Sequence, residues 1–146
     1  MMVYLDSSAL VKLYGEEAGA LDTIDLVDDA EMVAASPITR VEVASALARA
    51  VRTRMLAANG GREAYRAFIE ESHALIQVPV TDRVLTRAQD LVWEHGLRGY
   101  DAVQLASALT WQDRVGMSVT LATFDVQLAG AAGKAGMEIW PDATHP

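Results

Sequence analysis

The sequence predicts an α/β fold, a three-layer α/β/α sandwich around a central, mostly parallel sheet of about five strands. Short apolar runs rich in β-formers alternate with longer segments whose apolar residues recur at helical spacing. Such alternation is typical of a parallel sheet with helices on both faces. The chain has 146 residues, 51% of them apolar, which suffices for one domain with a substantial core. We therefore expect a single domain over residues 1–146, with a frayed tail after Trp140.

Five short apolar segments are the predicted strands. The third is expected to end near Pro79, because proline has no N–H to donate to the sheet. The last two are separated by one helical segment. The predicted strands span residues 2–5, 32–35, 75–80, 118–124 and 137–140.

Seven segments between the strands are predicted to be helical. Pro37 suits the first turn of a long helix. Asn59, Gly60 and Gly61 are expected to end that helix, since glycine readily follows a helix C-terminus. The predicted helices span residues 7–14, 18–29, 36–57, 62–74, 81–95, 101–113 and 126–135.

The composition excludes several classes of site. The chain has no cysteine, which excludes disulfides, thiol catalysis and thiolate zinc sites. No apolar run approaches the roughly 18 to 20 residues that span a membrane. The first six residues lack a basic segment and reach an aspartate at once, so we expect no signal peptide, no membrane association and a cytoplasmic protein.

Charge is unevenly distributed along the chain. The net charge is −8, which argues against a broad basic surface for nucleic acid. Residues 1–31 carry eight acids and one base, whereas residues 40–66 carry six arginines and two acids. A basic stripe on an acidic protein could guide a polyanion locally. An ordinary solvated helix face is the alternative.

Four acidic residues are the candidate site. Asp6 follows the first strand and Asp125 the fourth, so both are expected at the carboxyl edge of the sheet, where ligands bind in parallel folds. Glu42 begins the helix after the second strand and is placed at the same edge. Asp101 opens a helix after a glycine loop, so its placement is weaker. Each aspartate could instead be a helix N-cap, worth about 1 kcal/mol.

Convergence of four carboxylates needs a compensating charge. At about 5 Å and an effective dielectric constant of about 20, each like-charged pair costs roughly 3 kcal/mol. Bound cations or retained protons would reduce that cost. Carboxylate ligands without cysteine or histidine suit Mg²⁺ or Mn²⁺, and such ions most often serve phosphate chemistry.

Four short motifs, in order, resemble those of the PIN-domain ribonucleases, in particular the VapC-type toxins of type II toxin–antitoxin pairs. No single motif is specific, but their order, spacing and the total length all fit. The motifs are YLDSSAL at residues 4–10, TRVEV at 39–43, LRGYDA at 97–102 with Leu105 and Ala106, and TFD at 123–125 with Leu128.

The resemblance implies an Mg²⁺- or Mn²⁺-dependent endoribonuclease, a homodimer, and neutralisation by a cognate antitoxin, with which it could form a hetero-oligomer. The substrate is expected to be a single-stranded or structured RNA, since short carboxylates cannot reach into a duplex. By position, the catalytic residues and metal ligands would be Asp6, Glu42, Asp101 and Asp125. The predicted substrate-binding residues are Ser8, Arg98 and Thr123.

The helices over residues 37–57 and 62–74 carry more apolar side chains than one sheet face needs. Some of them, including Phe68, are expected to form an exposed groove, which the resemblance assigns to the antitoxin. Two other functions remain open. One is a PIN-like binding module with a regulatory site, and the other is a different Mg²⁺-dependent phosphohydrolase, such as a DNA nuclease.

Overall fold

The computed structural model describes residues 1–142, so the end of the predicted tail, residues 143–146, lies outside the described part. The strands are β1 (Met2–Leu5), β2 (Met32–Ala35), β3 (Ile76–Gln77), β4 (Val119–Ala122) and β5 (Glu138–Trp140). The helices are α1 (Ser7–Leu10), α2 (Ala20–Asp28), α3 (Thr39–Arg52), α4 (Ala58–Glu71), α5 (Asp82–His95), α6 (Gly99–Val115) and α7 (Val126–Lys134), with 3-10 turns at Val11–Tyr14 and Ser72–Ala74.

The five strands form one sheet in the order β3-β2-β1-β4-β5, and every neighbouring pair is parallel. Strand β1 lies at the centre, with Leu5 in register with Ala122 of β4. The carboxyl ends of β2, β1 and β4 therefore lie side by side. The predicted fold class is confirmed.

Side chains alternate across β1 and build two separate cores. Met2 and Tyr4 pack with residues of α5, α6 and α7 on one face of the sheet. Val3 and Leu5 pack with residues of α1, α2, α3 and α4 on the other. All four side chains are buried, as expected for the central strand of a sheet covered on both faces.

The predicted break at Asn59, Gly60 and Gly61 is wrong. Helix α3 already ends at Arg52, and α4 begins at Ala58, so both glycines lie in the first turns of α4. The chain reverses between the helices instead, where Arg54 has a positive φ of 59°. Gly61 is needed for close packing, because a Cβ there would lie 2.4 Å from Cγ2 of Val51 on α3.

Other boundaries differ by a few residues for identifiable reasons. Strand β3 is shorter than the predicted 75–80: Val78 N still donates to Ala35 O (3.0 Å), and Pro79 then ends the pairing. Helix α6 is longer than predicted and begins at Gly99, two residues before Asp101. In residues 1–142, no helix has both the length and the apolar character needed to cross a bilayer.

Candidate active site

Asp6 is a buried carboxylate held at the end of β1, and it is 3% exposed. Its backbone N–H donates to Ala122 O of β4 (3.0 Å), which continues the sheet one residue past the strand. Its Oδ2 accepts hydrogen bonds from Ser8 Oγ (2.6 Å), Thr123 Oγ1 (2.9 Å) and Ser8 N (3.3 Å). Its Oδ1 accepts a hydrogen bond from the Ser7 hydroxyl at 3.4 Å. One carboxylate oxygen thus accepts three hydrogen bonds from the described residues, and the other accepts one long hydrogen bond.

Ser8 and Thr123 tie the ends of β1 and β4 together through Asp6. Besides donating to Asp6, Ser8 Oγ accepts from Phe124 N (2.9 Å) and Thr123 Oγ1 accepts from Asp125 N (3.1 Å). Both hydroxyls are therefore already engaged in orienting Asp6 and the loop after β4. Their predicted role in binding substrate stays a prediction.

Glu42 lies in the first turn of α3 and is half-buried. Its Oε2 accepts a hydrogen bond from Gln104 Nε2 at 2.6 Å. Burial raises the pKa of Glu42, and the negative charges of Asp6 and Asp101 add to that rise, whereas hydrogen bonds from Gln104 and Ser7 oppose it. Ser7 is thus close to both Asp6 and Glu42, which brings these two carboxylates to one place.

Asp101 is the third residue of α6, and the residue in the N-cap position is Arg98. The alternative interpretation of Asp101 as an N-cap is therefore wrong. Burial raises the pKa of Asp101, the charges of Asp125 and Asp6 raise it further, and the Arg98 guanidinium opposes the rise. Helix α6 runs back toward the start of β4, so its N-terminus lies at the same edge as the other acids.

Asp125 does cap a helix. Its Oδ1 accepts a hydrogen bond from Leu128 N at 2.8 Å, in the first turn of α7. Asp6 caps α1 in the same way, through Ser8 N. For these two acids, capping does not exclude the predicted role in the site, because Asp6 and Asp125 also lie close enough to Asp101 to raise its pKa.

Gln104 is a residue of this site that the sequence analysis missed. It is completely buried on α6, one turn after Asp101, and Tyr4 Oη donates to its Oε1 at 2.8 Å. An amide on the apolar face of a helix, three residues from a candidate ligand, is the signal that could have identified it.

The donor set fits a hard divalent cation by its chemistry. Besides burial, the charges of Asp6 and Asp101 raise the pKa of Glu42, and those of Asp125 and Asp6 raise the pKa of Asp101, so the four carboxylates lie near one another. Carboxylate oxygens are ligands that suit such a cation. Among residues 1–142, however, no three acidic or histidine side chains already stand in the arrangement of a formed metal site.

Basic residues near this edge differ in their exposure and in the contacts that they already make. Arg98 is exposed and close to Asp101, as its effect on the pKa of that acid shows. Lys12 instead pairs with Glu17 (2.9 Å) and lies 4.9 Å from the centre of the Phe124 ring. The arginines of α3, α4 and their connection are all exposed: Arg40, Arg49, Arg52, Arg54, Arg62 and Arg66.

An apolar groove of about 930 Å³ lies where α3, α4 and the 3-10 turn after α1 meet, and Met55 on its wall is 78% exposed. The expectation that Phe68 lines an exposed groove is wrong. Phe68 is 1% exposed and packs edge-on against Tyr14, with ring centroids 5.6 Å apart. Other residues lining the groove include Val11, Leu13, Ala46, Leu56 and Ala64.

Comparison with known proteins identifies the family. Residues 3–134 match the model of the PIN domain. The chain is 34% identical over 145 residues to Ribonuclease VapC45 of Mycobacterium tuberculosis (strain CDC 1551 / Oshkosh), covering 99% of both chains.

Two solved structures have the same fold. The first is M. tuberculosis VapC20, a toxin that cleaves the sarcin–ricin loop (TM-score 0.65, 19% identity, 88% of this chain and 94% of that one). The second is a toxin–antitoxin complex from Klebsiella pneumoniae (TM-score 0.64, 19% identity, 88% and 91%). Sequence motifs, site geometry and full-length similarity agree, and the chain belongs to the PIN-domain family, among the VapC ribonucleases.

Proposed function

We propose that this chain is an endoribonuclease toxin that hydrolyses phosphodiester bonds in RNA, with Asp6, Glu42, Asp101 and Asp125 as its catalytic residues. Residues 1–146 would form one PIN-like domain that acts in the cytoplasm. The observation that carries it is that these four acids lie near one another at the carboxyl edge of the sheet, where burial, with the charges of the neighbouring acids, raises the pKa of Glu42 and Asp101. Enzymes keep such perturbed carboxylates at functional sites.

Ribonucleases of this family need a divalent metal ion. Here we propose Mg²⁺ or Mn²⁺, because the available ligands are carboxylate oxygens. Asp6, through Oδ1, and Asp101 would be the principal ligands, Glu42 would complete the set or orient the attacking water, and Asp125 would support it. When bound, the ion supplies positive charge and lowers the pKa of a coordinated water.

The protein side chains supply the remaining functions. Ser8 and Thr123 hold Asp6 in one orientation through the hydrogen bonds to its Oδ2. Arg98, exposed beside Asp101, would contact an RNA phosphate. An arginine fork suits that contact because it offers paired donors.

A single-stranded or looped RNA fits this site better than a duplex. The acids are buried or half-buried at the floor of the sheet edge, where a duplex groove cannot be reached by short side chains. The net charge of −8 disfavours non-specific binding, whereas the exposed arginines of α3 and α4 offer local positive charge. Recognition of one structured RNA is therefore favoured over broad binding.

The partners we propose are a cognate antitoxin and a second copy of the chain. One structural neighbour was solved as a toxin–antitoxin complex. The apolar groove beside α3 and α4 is a suitable surface for an apolar antitoxin segment, because exposed apolar patches of this kind usually mark protein contacts. Sedimentation of the purified chain at micromolar concentration tests the dimer.

The test is cleavage of RNA by the purified chain with added Mn²⁺, comparing the wild type with Asp101→Asn. The substrates are a structured RNA pool that includes a sarcin–ricin loop, single-stranded DNA, and a phosphomonoester. We expect RNA to be cut and Asp101→Asn to lose about two or more decades of rate, since a lost ligand charge weakens metal binding. Asp113→Asn, about 18 Å further along α6, is the matched control and should retain full activity.

The outcomes separate the alternatives. Cleavage of DNA or of the phosphomonoester in preference to RNA would identify a different phosphohydrolase. No hydrolysis by the wild type, with antitoxin binding intact, would identify a binding module. Equal activity of Asp101→Asn and wild type at every Mn²⁺ concentration would contradict the assignment of the site.

A further inference from the structure

We propose that Gln104 is a positioning residue for this reaction: it holds the Glu42 carboxylate in one orientation toward the cation, and the buried hydroxyl of Tyr4 holds Gln104. The inference rests on the proposed function and assigns a role to a residue that none of the motifs includes.

The three residues form a continuous chain of hydrogen bonds from the core to the site. Tyr4, in the centre of β1, is completely buried, and its Oη donates to Gln104 Oε1 at 2.8 Å. Gln104 Nε2 then donates to Glu42 Oε2 at 2.6 Å. The residues are 100 and 62 positions apart in sequence, so the chain links β1, α6 and α3.

The groups at the two ends of this series of hydrogen bonds determine which atom donates in each of them. A glutamine amide can be placed with its oxygen and nitrogen exchanged, because the two orientations have nearly the same shape. A phenol keeps its proton near neutral pH, because its ordinary pKa is about 10, so the buried Tyr4 hydroxyl can donate it. The carboxylate of Glu42 needs a donor rather than another oxygen. Both ends therefore favour the orientation with Oε1 toward Tyr4 and Nε2 toward Glu42.

The hydrogen bond from Gln104 makes the two oxygens of Glu42 unequal, as the hydrogen bonds from Ser8 and Thr123 do for Asp6. Gln104 occupies Oε2 of Glu42, and Ser8 with Thr123 occupies Oδ2 of Asp6. In each carboxylate, one oxygen thus accepts a hydrogen bond that fixes the orientation of the group. Groups that hydrogen-bond to metal ligands commonly set ligand orientation, and their loss costs about 10- to 100-fold in metal affinity or activity.

A simpler explanation is that Gln104 only satisfies the buried polar groups around it. In that case its loss would lower stability without a specific effect on metal binding. A double-mutant cycle between Gln104 and Glu42 separates the two explanations, because it measures whether Gln104 acts through Glu42.

The experiment measures the Kd of Mn²⁺ by direct titration, the kcat and KM for RNA at saturating Mn²⁺, and the Tm in chelator. The variants are Gln104→Met, which keeps the length but makes no such hydrogen bond, Tyr4→Phe, Glu42→Gln, and the double variant Gln104→Met/Glu42→Gln. Thr110→Val is the control, because it removes a hydrogen bond from α6 (Thr110 Oγ1 to Ala106 O, 2.7 Å) outside the chain of three residues.

We expect Gln104→Met to raise the Kd of Mn²⁺ about tenfold and to lower kcat, with the KM for RNA unchanged because Gln104 is buried. Tyr4→Phe should act in the same direction with a smaller effect, and it serves as the test if Gln104→Met does not fold. In the Glu42→Gln background, Gln104→Met should add no further loss of Mn²⁺ affinity. Thr110→Val should bind Mn²⁺ like the wild type.

Two results would overturn the inference. The first is wild-type Mn²⁺ affinity and kcat in both Gln104→Met and Tyr4→Phe, while Glu42→Gln is impaired, which would leave the proposed function intact. The second is a full additive loss in the double variant, which would show that Gln104 does not act through Glu42. If Glu42→Gln itself binds Mn²⁺ and cleaves RNA like the wild type, the role of Glu42 in the proposed function fails instead.

Discussion

The four acidic residues of the site differ in what already holds each carboxylate. Asp6 and Asp125 each accept a backbone N–H as helix caps, whereas Asp101 makes no capping hydrogen bond. Glu42 has the amide of Gln104. Neutralising Asp101 therefore removes a repulsive charge without removing a cap, so this residue gives the cleanest test of repulsion within the site.

Asp101→Asn should stabilise the metal-free protein in a pH-dependent way. Burial and the charges of Asp125 and Asp6 raise the pKa of Asp101 in the folded protein above 3.8, its ordinary value. The folded state then binds more protons than the unfolded state, so wild-type stability falls as pH rises from about 4 through the raised pKa. Asparagine carries no charge and avoids that loss. Relative to wild type, the Tm of Asp101→Asn in chelator should rise between pH 4 and pH 8.

The same melting series with Asp90→Asn is the control for this prediction, since it removes one exposed charge of α5 that has no hydrogen bond or ion pair among the described residues. Its Tm difference from wild type should vary less with pH. A Tm difference for Asp101→Asn that is constant from pH 4 to pH 8 would contradict repulsion within the site.

At the scale of elements, the packing of α3 against α4 depends on one small residue. Gly61 is buried against Val51, while its neighbour Gly60 has no heavy atom within 4 Å of an added Cβ. Both glycines are helical, and alanine is the better helix former by up to about 1 kcal/mol. The surroundings of each glycine, rather than its helix propensity, should therefore decide whether a substitution by alanine stabilises or destabilises the protein.

Gly61→Ala should lower the free energy of unfolding by about 1–3 kcal/mol, because the new Cβ meets the stiff, β-branched Val51 at 2.4 Å. Gly60→Ala is the matched control and should be neutral or stabilising. Urea unfolding of the two single variants and of Gly61→Ala/Val51→Ala tests this. Equal stability of the two alanine variants would disprove the packing argument, and Val51→Ala should relieve part of the loss in the double variant.

At the scale of the whole molecule, acidic and basic surfaces are segregated. The first 31 residues carry eight of the 20 acids and a single base, and the six arginines of residues 40–66 are exposed on α3, α4 and their connection. The apolar groove lies between these regions, bordered by the 3-10 turn after α1 and by α3 and α4. The charged residues that line it are glutamates, Glu16, Glu17 and Glu63, so a partner segment with basic residues beside its apolar ones would suit this surface.

Met55→Asp should weaken antitoxin binding at least tenfold with little change in Tm, since Met55 lines the groove and is 78% exposed. Leu21→Asp is the matched control, because Leu21 on α2 is 77% exposed but does not line the groove. Titration calorimetry with the antitoxin measures both. Phe68→Asp, by contrast, should unfold the chain, because it buries a charge in the core. Unchanged affinity of Met55→Asp would place the antitoxin elsewhere.

Some features of this protein were predictable from the sequence because their causes are local. Apolar periodicity gave the five strands and the three-layer fold, apart from boundaries such as the shortened β3. A residue that follows a strand of a parallel sheet lies at the carboxyl edge of that sheet, whatever the conformation of the loops. Asp6 and Asp125 follow β1 and β4 and therefore lie at this edge. The four motifs in order then indicated the family, which full-length similarity supports.

By itself, then, the sequence determined the fold class, the edge that carries the acids and the family. Only the tertiary structure decided that Asp101 does not cap its helix, that Phe68 is core, and that Gly61 is a packing contact rather than a helix end. Gln104 shows the physical reason most clearly. Its partners, Tyr4 and Glu42, are 100 and 62 residues away, and no local periodicity encodes contacts that form only when three separate elements pack together.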